Sequence, residues 1–134
     1  MRKLEKLDVS FFNTNNSKTF SFMFSDCSKL KEINISKFKT TNCEKIGCMF
    51  YGCSSLELID MLNWDMRNIN NINHLFSGCS KLKKIKMNFN NYKKLEFKYI
   101  FYGLPDGGSF VWKNGIFSNE LLKELPVSWN RIQE

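Results

Sequence analysis

The stretch MFYGCSSL at residues 49–56 is repeated 26 residues later as LFSGCSKL at residues 75–82, and this repeat is the main indication of the fold. The same spacing aligns further apolar columns, which hold Leu4, Leu30, Leu56 and Leu82; Leu7, Ile33, Ile59 and Ile85; Val9, Ile35, Met61 and Met87; Phe12, Phe38 and Trp64; and Phe24, Phe50 and Phe76. A fourth copy is one residue shorter. So many columns in one register predict tandem repeats whose stacked neighbours bury a shared core.

Each repeat has two halves that differ in the spacing of their apolar residues. In the first half, Leu7 and Val9 alternate with polar residues, which is the period of a strand with one buried face. In the second half the apolar residues are three, four and seven positions apart, as in Phe20, Met23, Phe24 and Cys27. This spacing predicts an amphipathic helix, and asparagines precede each such stretch where they would cap it, namely Asn16, Asn42 and Asn68.

A strand followed by a helix, about four times over, predicts an α/β solenoid of the leucine-rich-repeat type with 26-residue repeats and a parallel sheet. Because stacked helices need ~10 Å and strands only ~4.8 Å, the sheet is expected on a concave face. Residues 1–104 are assigned to the solenoid and residues 105–134 to a C-terminal cap packed on the last repeat, within one domain. We expect a strand at 109–112 and a helical turn or loop at 119–125 in this cap, with Trp112, Phe117 and Trp129 covering the core.

The composition excludes some classes of protein and leaves others open. No stretch approaches the ~18 apolar residues of a membrane span, so we expect no membrane insertion. The start of the chain lacks the apolar run of a signal peptide, so a cytosolic location and a piece of a longer protein both stay open. The net charge of +7 is compatible with an anionic partner, or it serves only solubility.

Five cysteines and one histidine are the candidates for chemistry. Three cysteines belong to the apolar stripe and are predicted to be buried free thiols, namely Cys27, Cys53 and Cys79. Cys43 and Cys48 lie outside the stripe, which leaves a local disulfide between them as an alternative. The spacing of five between cysteines matches no usual zinc pattern, so no metal and no cofactor are predicted. His74 has no partner nucleophile or carboxylate motif, and nothing in the chain predicts catalytic residues.

The outward residues of the predicted strands are the better candidates for a binding site. The third repeat places Leu58 and Leu62 around Asp60, and the fourth places Lys84 and Lys86 beside them. An apolar spot with a polar rim is typical of a protein contact, so these five residues are predicted to bind a partner protein. The alternative is that the leucines are isolated exposed residues without a role.

A basic cluster supports a second hypothesis, a cytosolic binder of nucleic acid or another polyanion. Aromatic residues interleave with its lysines, as in single-strand binders; the lysines are Lys81, Lys83, Lys84, Lys86, Lys93, Lys94 and Lys98, and the aromatics are Tyr92, Phe97 and Tyr99. Phe97, however, falls in the apolar stripe. Arginine, the usual residue for bidentate phosphate contacts, occurs only at Arg2, Arg67 and Arg131, which favours a solvated basic face over nucleic-acid binding.

The repeat segments resemble the BspA-like leucine-rich-repeat surface proteins of bacteria and protists. The stretch LDVSFFNT at 7–14 is similar to that family's strand, and the segments 49–56 and 75–82 to its Met-Phe-x-Gly-Cys-Ser-x-Leu motif. The ending LPVSW at 125–129 also resembles the ending that follows such repeats. The resemblance implies a cell-surface or secreted protein that adheres to host or neighbouring-cell proteins, and it carries over no catalytic residues.

The first strand is expected to leave an open edge. The segment 105–134 looks like a cap, whereas nothing comparable precedes Leu4. Unpaired strand edges recruit partners, and solenoids need covering at both ends. The isolated chain is therefore predicted to self-associate through its N-terminal edge, around Lys6 to Ser10.

Overall fold

The first half of each repeat folds as its alternating pattern predicts. The computed structural model describes residues 5–90, 94–115 and 119–134. One short strand begins each repeat, and the strands are β1 Lys6–Asp8, β2 Glu32–Asn34, β3 Leu58–Met61 and β4 Lys84–Asn88. Two further strands, β5 Ser109–Lys113 and β6 Asn130–Gln133, follow after the repeats.

All strand pairs are parallel, and the repeat columns pair in register. Leu7 lies opposite Ile33, and Ile59 lies opposite Ile85. The strands nevertheless form two sheets, β1-β2 and β3-β4-β5-β6, and no ladder joins β2 to β3 in the described chain. In the first sheet Leu7 and Ile33 are half-buried, whereas Ile59 and Ile85 in the second sheet are fully buried.

The second half of each repeat is not a helix, and the prediction of strand–helix repeats is wrong. Residues 21–26, 47–52 and 73–78 form successive turns. The Met23 N–H donates to the Phe20 carbonyl at 3.1 Å, three residues back, while the Phe24 N–H donates to the Met49 carbonyl of the next repeat at 3.0 Å. An α-helix would instead bond each N–H to the carbonyl four residues back. Each repeat is thus one coil of a parallel β-solenoid.

A chain of turns reproduces the apolar spacing of a helix. Every second amide bonds to the next coil, and the amides between them close turns within their own coil. The backbone takes a positive φ every fourth residue, 63° at Phe22 and 62° at Asp26, which returns the chain to the same face after four residues. Phe20, Phe24 and Cys27 therefore face the core at intervals of four and three, as they would on a helix.

Two further predictions depended on the helices and are wrong for the same reason. The predicted concave sheet rested on helices ~10 Å apart. Here both sides of the coil repeat at similar distances, since the rings of Phe24 and Phe50 on the turn side are 5.7 Å apart. The asparagines are not helix caps either. The Asn42 side-chain amide donates to the Asn15 carbonyl at 2.9 Å, and that of Asn68 to the Thr41 carbonyl at 2.7 Å, so both bind one coil to the previous one.

The core is a continuous column of phenylalanines, as the repeat columns predict. Phe24, Phe50, Phe76 and Phe101 stack in sequence, with ring centroids 5.7, 6.3 and 6.4 Å apart. A second column forms in part: Phe38 stacks on Trp64 at 5.9 Å, and the Trp64 indole N–H donates to the Ile35 carbonyl at 3.0 Å. Phe12, which the spacing assigns to the same column, remains 42% exposed.

The C-terminal segment extends the ladder of strands. β5 pairs with β4, and β6 pairs with β5, both in parallel. The helix α1, Asn119–Glu124, connects β5 to β6, so the predicted strand and helical turn are confirmed. Trp112 and Trp129 are buried, whereas Phe117 lies outside the described residues. In the part of the chain that the structure covers, no helix has the length and apolar character needed to cross a membrane.

Candidate binding groove on the strand face

Four of the five predicted site residues come together on the strand face. Leu58 pairs in register with Lys84, and Asp60 with Lys86. Leu58 is 44% exposed, Asp60 and Lys84 are exposed, and Lys86 is half-buried. Leu62 departs from this row because it follows the end of β3, where the Asp60 carboxylate accepts its N–H at 3.1 Å.

The last residue of β4, Asn88, is buried although the alternation of the strand would place its side chain on the outer face. Asn88 is 7% exposed, and its side-chain amide donates to the Trp64 carbonyl at 2.8 Å. Its side-chain oxygen accepts a hydrogen bond from the Asn114 amide at 2.8 Å. The alternation of β4 breaks at this position because a buried amide can be satisfied by these two partners.

A groove of about 680 Å³ lies over β1, β2 and the start of β3. Its apolar residues are Leu7, Ile33 and Leu58, and its polar rim includes Lys6, Glu32 and Asp60. The groove coincides with the break between β2 and β3, where Leu7 and Ile33 keep part of their surface exposed. Of the predicted site residues, Leu58 and Asp60 line this groove, and Lys84 and Lys86 lie beside it on β4. The sequence did not identify Leu7 and Ile33 as groove residues, because the alternation of apolar and polar residues assigns their side chains to the core.

The rim of the groove carries both signs of charge. Lys6 pairs with Glu32 at 2.8 Å, and Lys31 pairs with Glu5 at 3.5 Å. The hydrogen bond and charge of Glu32 raise the pKa of Lys6, so this ammonium stays charged at neutral pH. These pairs largely neutralise one another, and they leave an apolar strip between charged borders.

At or near the end of each of the first three strands, a side-chain oxygen accepts the backbone N–H of the residue two positions further on. The backbone N–H of Ser10 donates to Asp8 at 2.9 Å, and this bond lowers the pKa of Asp8. Asn34 and Asp60 accept the same kind of bond, from Ser36 and Leu62. Asp8 and Asp60 therefore stand at equivalent places, two coils apart, with their orientation set by the turn.

The lysine cluster is divided between two parts of the coil. Lys84 and Lys86 lie on β4, whereas Lys94 and Lys98 flank Glu96 on a separate bridge ladder with Asn71. The Lys83 ammonium donates to the Asp106 carbonyl at 2.6 Å. Phe97 is half-buried against the core, and Tyr92 and Lys93 lie outside the described residues. Those members of the interleaved basic and aromatic pattern that the structure describes are therefore spread over more than one surface.

The cysteines are packing residues with free thiols, and Cys43 and Cys48 are not bridged. The Cys53 thiol donates to the Phe24 carbonyl at 3.0 Å, and the Cys79 thiol to the Phe50 carbonyl at 3.1 Å. Burial raises the pKa of Cys43 to about 11 and that of Cys53 to about 12, which disfavours the reactive thiolate. The described residues bring together no group of three His, Cys, Asp or Glu side chains suited to a metal ion.

Fold and site together define a class: a parallel β-solenoid with 26-residue coils and a groove on its strand face. Residues 1–89 match the family described as "Mycoplasma protein of unknown function, DUF285". This match spans well over half of the chain, which therefore belongs to that family. Comparisons with curated proteins and with solved structures gave no match.

Proposed function

We propose that this chain is a non-catalytic module that binds another protein through the groove on β1, β2 and β3. The observation that carries the proposal is an apolar strip with a rim of both charges. It is formed by the exposed Leu58 and by the part of Leu7 and Ile33 that their packing against the core leaves accessible. An apolar strip with a polar border is the usual composition of a protein interface, in which the centre supplies affinity and the rim excludes water.

The resemblance to BspA-like repeat proteins supports a more specific version of this proposal. In that version the chain is an adhesin-like part of a surface or secreted protein, and its partner is displayed by a host or neighbouring cell. The family match supports the repeat class and is silent on the partner.

Saturable binding to extracellular proteins, measured by biolayer interferometry with the purified chain, tests the proposal. Leu58→Asp places a charge in the apolar strip and should weaken binding at least tenfold. Val127→Asp is the matched control, because Val127 is 96% exposed and lies outside the groove. Saturable binding that Leu58→Asp leaves unchanged would remove the groove from the proposal, and no saturable binding to any protein in the set would remove the function.

The polyanion hypothesis has less support, because its lysines lie on two separate ladders. A heparin column distinguishes it from the leading proposal. Phosphate-like contacts release counterions, so true polyanion binding would show retention that falls steeply with salt. If the double variant Lys84→Glu with Lys86→Glu abolishes such retention, polyanion binding is favoured over protein binding through the groove.

A further inference from the structure

A stripe of exposed aromatic side chains runs along the turn side of the solenoid, away from the strand-face groove. We define this turn-face stripe as Phe22, Tyr51, His74, Tyr99 and Tyr102. The exposed fractions of the phenylalanine and the three tyrosines are 64%, 42%, 58% and 71%, and His74 is half-buried. Isolated exposed rings are common, but five in adjacent coils form a surface.

The rings contact one another from coil to coil. Tyr51 meets His74 edge to face with ring centroids 6.0 Å apart, and His74 stacks on Tyr99 at 5.2 Å. Tyr102 lies nearly perpendicular to Tyr99 at 6.4 Å. Four of the five rings, those of Tyr51, His74, Tyr99 and Tyr102, therefore form a connected row.

The backbone under the stripe gives a reason to regard these side chains as functional. Phe22, His74 and Tyr99 have φ values of 63°, 56° and 55°, in the left-handed region that glycine adopts most easily. Four residues after His74 and Tyr99 the same backbone region is occupied by glycine, at Gly78 and Gly103. Phe22 and Tyr99 keep most of their surface in water at strained backbone positions, so they gain little from the fold and point to a role in binding.

The backbone also holds the stripe rigid. The N–H groups of Phe22 and His74 donate to the carbonyls of Gly47 and Lys98 in the next coil, at 3.2 and 2.9 Å. A ligand that binds to rings already fixed in place loses less conformational freedom than one that must order them.

His74 has a defined hydrogen-bond role in the stripe. Its Nδ1 lies 3.0 Å from the Ser77 hydroxyl, and that hydroxyl donates its one proton to the Tyr99 carbonyl at 2.6 Å. The Ser77 oxygen therefore accepts from Nδ1–H. In the neutral ring Nε2 is then the acceptor, and no described residue donates to it.

We propose that the turn-face stripe binds a neutral oligosaccharide. Sugar rings have apolar C–H surfaces that pack on aromatic rings and hydroxyls that pair with Tyr99, Tyr102 and the His74 ring. None of the five side chains is a carboxylate, ammonium or guanidinium group, so the stripe offers nothing to an anionic polymer. If a ring side chain offers about 200 Å², the four exposed fractions amount to roughly 470 Å², below the ~800 Å² per partner of a standard protein interface.

An array of immobilised neutral and sulfated oligosaccharides, built from glucose, galactose, mannose and N-acetylglucosamine, tests this proposal. The chain should bind at least one neutral oligosaccharide, and the double variant Tyr99→Ala with Tyr102→Ala should lose at least fivefold in affinity. Phe11→Ala is the matched control, because that ring is 77% exposed and lies after β1. Leu58→Asp should leave sugar binding intact, which separates this site from the groove of the proposed function.

Three outcomes would overturn the proposal: no neutral sugar bound, binding equal in the double variant, or binding of sulfated sugars alone. A second variant separates function from stability. Tyr99→Gly removes the ring and relieves the strained φ, so the melting temperature should not fall while sugar affinity falls at least fivefold. A lower melting temperature with unchanged affinity would show that the ring serves the fold, and would overturn the proposal as well.

Discussion

Phe50 shows what the core demands of a single residue. Its ring lies between Phe24 at 5.7 Å and Phe76 at 6.3 Å, and no part of it reaches solvent. The same coil places Tyr51, the next residue, 42% in solvent. Adjacent positions therefore contribute to different properties, one to the stability of the fold and the other to its surface.

Phe50→Ala should lower the free energy of unfolding by roughly 3–5 kcal/mol, because a cavity would remain between two fixed rings. Urea denaturation followed by tryptophan fluorescence measures this loss. Phe11→Ala removes an exposed ring and should change stability by less than ~0.5 kcal/mol. A loss below about 1 kcal/mol for Phe50→Ala would mean that the phenylalanine column is not the core.

The cysteines should react in an order set by burial. Cys48 is half-buried, while the other four thiols are buried, and burial raises the pKa of Cys53 to about 12. Iodoacetamide at pH 8 should therefore modify Cys48 first in the native protein, with mass spectrometry identifying the site. After unfolding without reductant, all five thiols should be modified. Two thiols missing from that count would indicate a disulfide.

At the scale of elements, the strands could be predicted from the sequence and the turns could not. Alternation of buried and exposed residues occurs only in extended chain, so Leu7, Ile33 and Ile59 identify their strands. Spacings of three and four occur both on a helix and in successive turns with a left-handed residue every fourth position. Non-glycine residues rarely adopt that conformation, so Phe22 and His74 gave no sign of it.

The candidate groove could likewise be predicted from the sequence only in part. The outward position of Leu58, Asp60 and Lys84 follows from alternation alone. The groove also includes part of Leu7 and Ile33, and it lies next to the break between β2 and β3. Pairing between neighbouring coils depends on backbone distances that the residue pattern does not specify.

The buried hydroxyl of Thr40 connects one coil to the next, and its contribution to stability can be tested. It is 2% exposed, and its hydroxyl accepts the Asp65 N–H at 2.8 Å and donates to the Asp65 carbonyl at 3.1 Å. Thr40→Val keeps the shape but leaves both backbone groups without this partner, at a cost of ~1–3 kcal/mol in unfolding free energy. Thr41→Val, at an exposed neighbour, should be nearly neutral in the same chemical denaturation experiment. Equal effects would mean that the buried hydroxyl contributes nothing specific.

At the scale of the whole molecule, the outer edge of β1 bears on assembly. β1 pairs with β2 on one side, and no other described strand pairs with it. We expect the 134-residue chain to self-associate through this edge at high concentration, because unpaired parallel strands recruit further strands. Leu4→Glu should weaken the association, although Leu4 itself lies outside the described residues. Multi-angle light scattering checks this, and a strict monomer at high concentration would contradict it.

Each repeat is a coil of strand and turns, hydrogen-bonded to the next coil where the residue spacing predicts a helix. Scalar couplings across hydrogen bonds, measured by NMR on the deuterated chain, test it directly. The Phe50 amide nitrogen should couple to the Leu75 carbonyl carbon, and that of Cys48 to Asn73, because their N–H donors lie 3.2 and 2.9 Å from those carbonyl oxygens. A coupling from Phe50 to the Ile46 carbonyl, four residues back, would instead establish a helix and contradict the account.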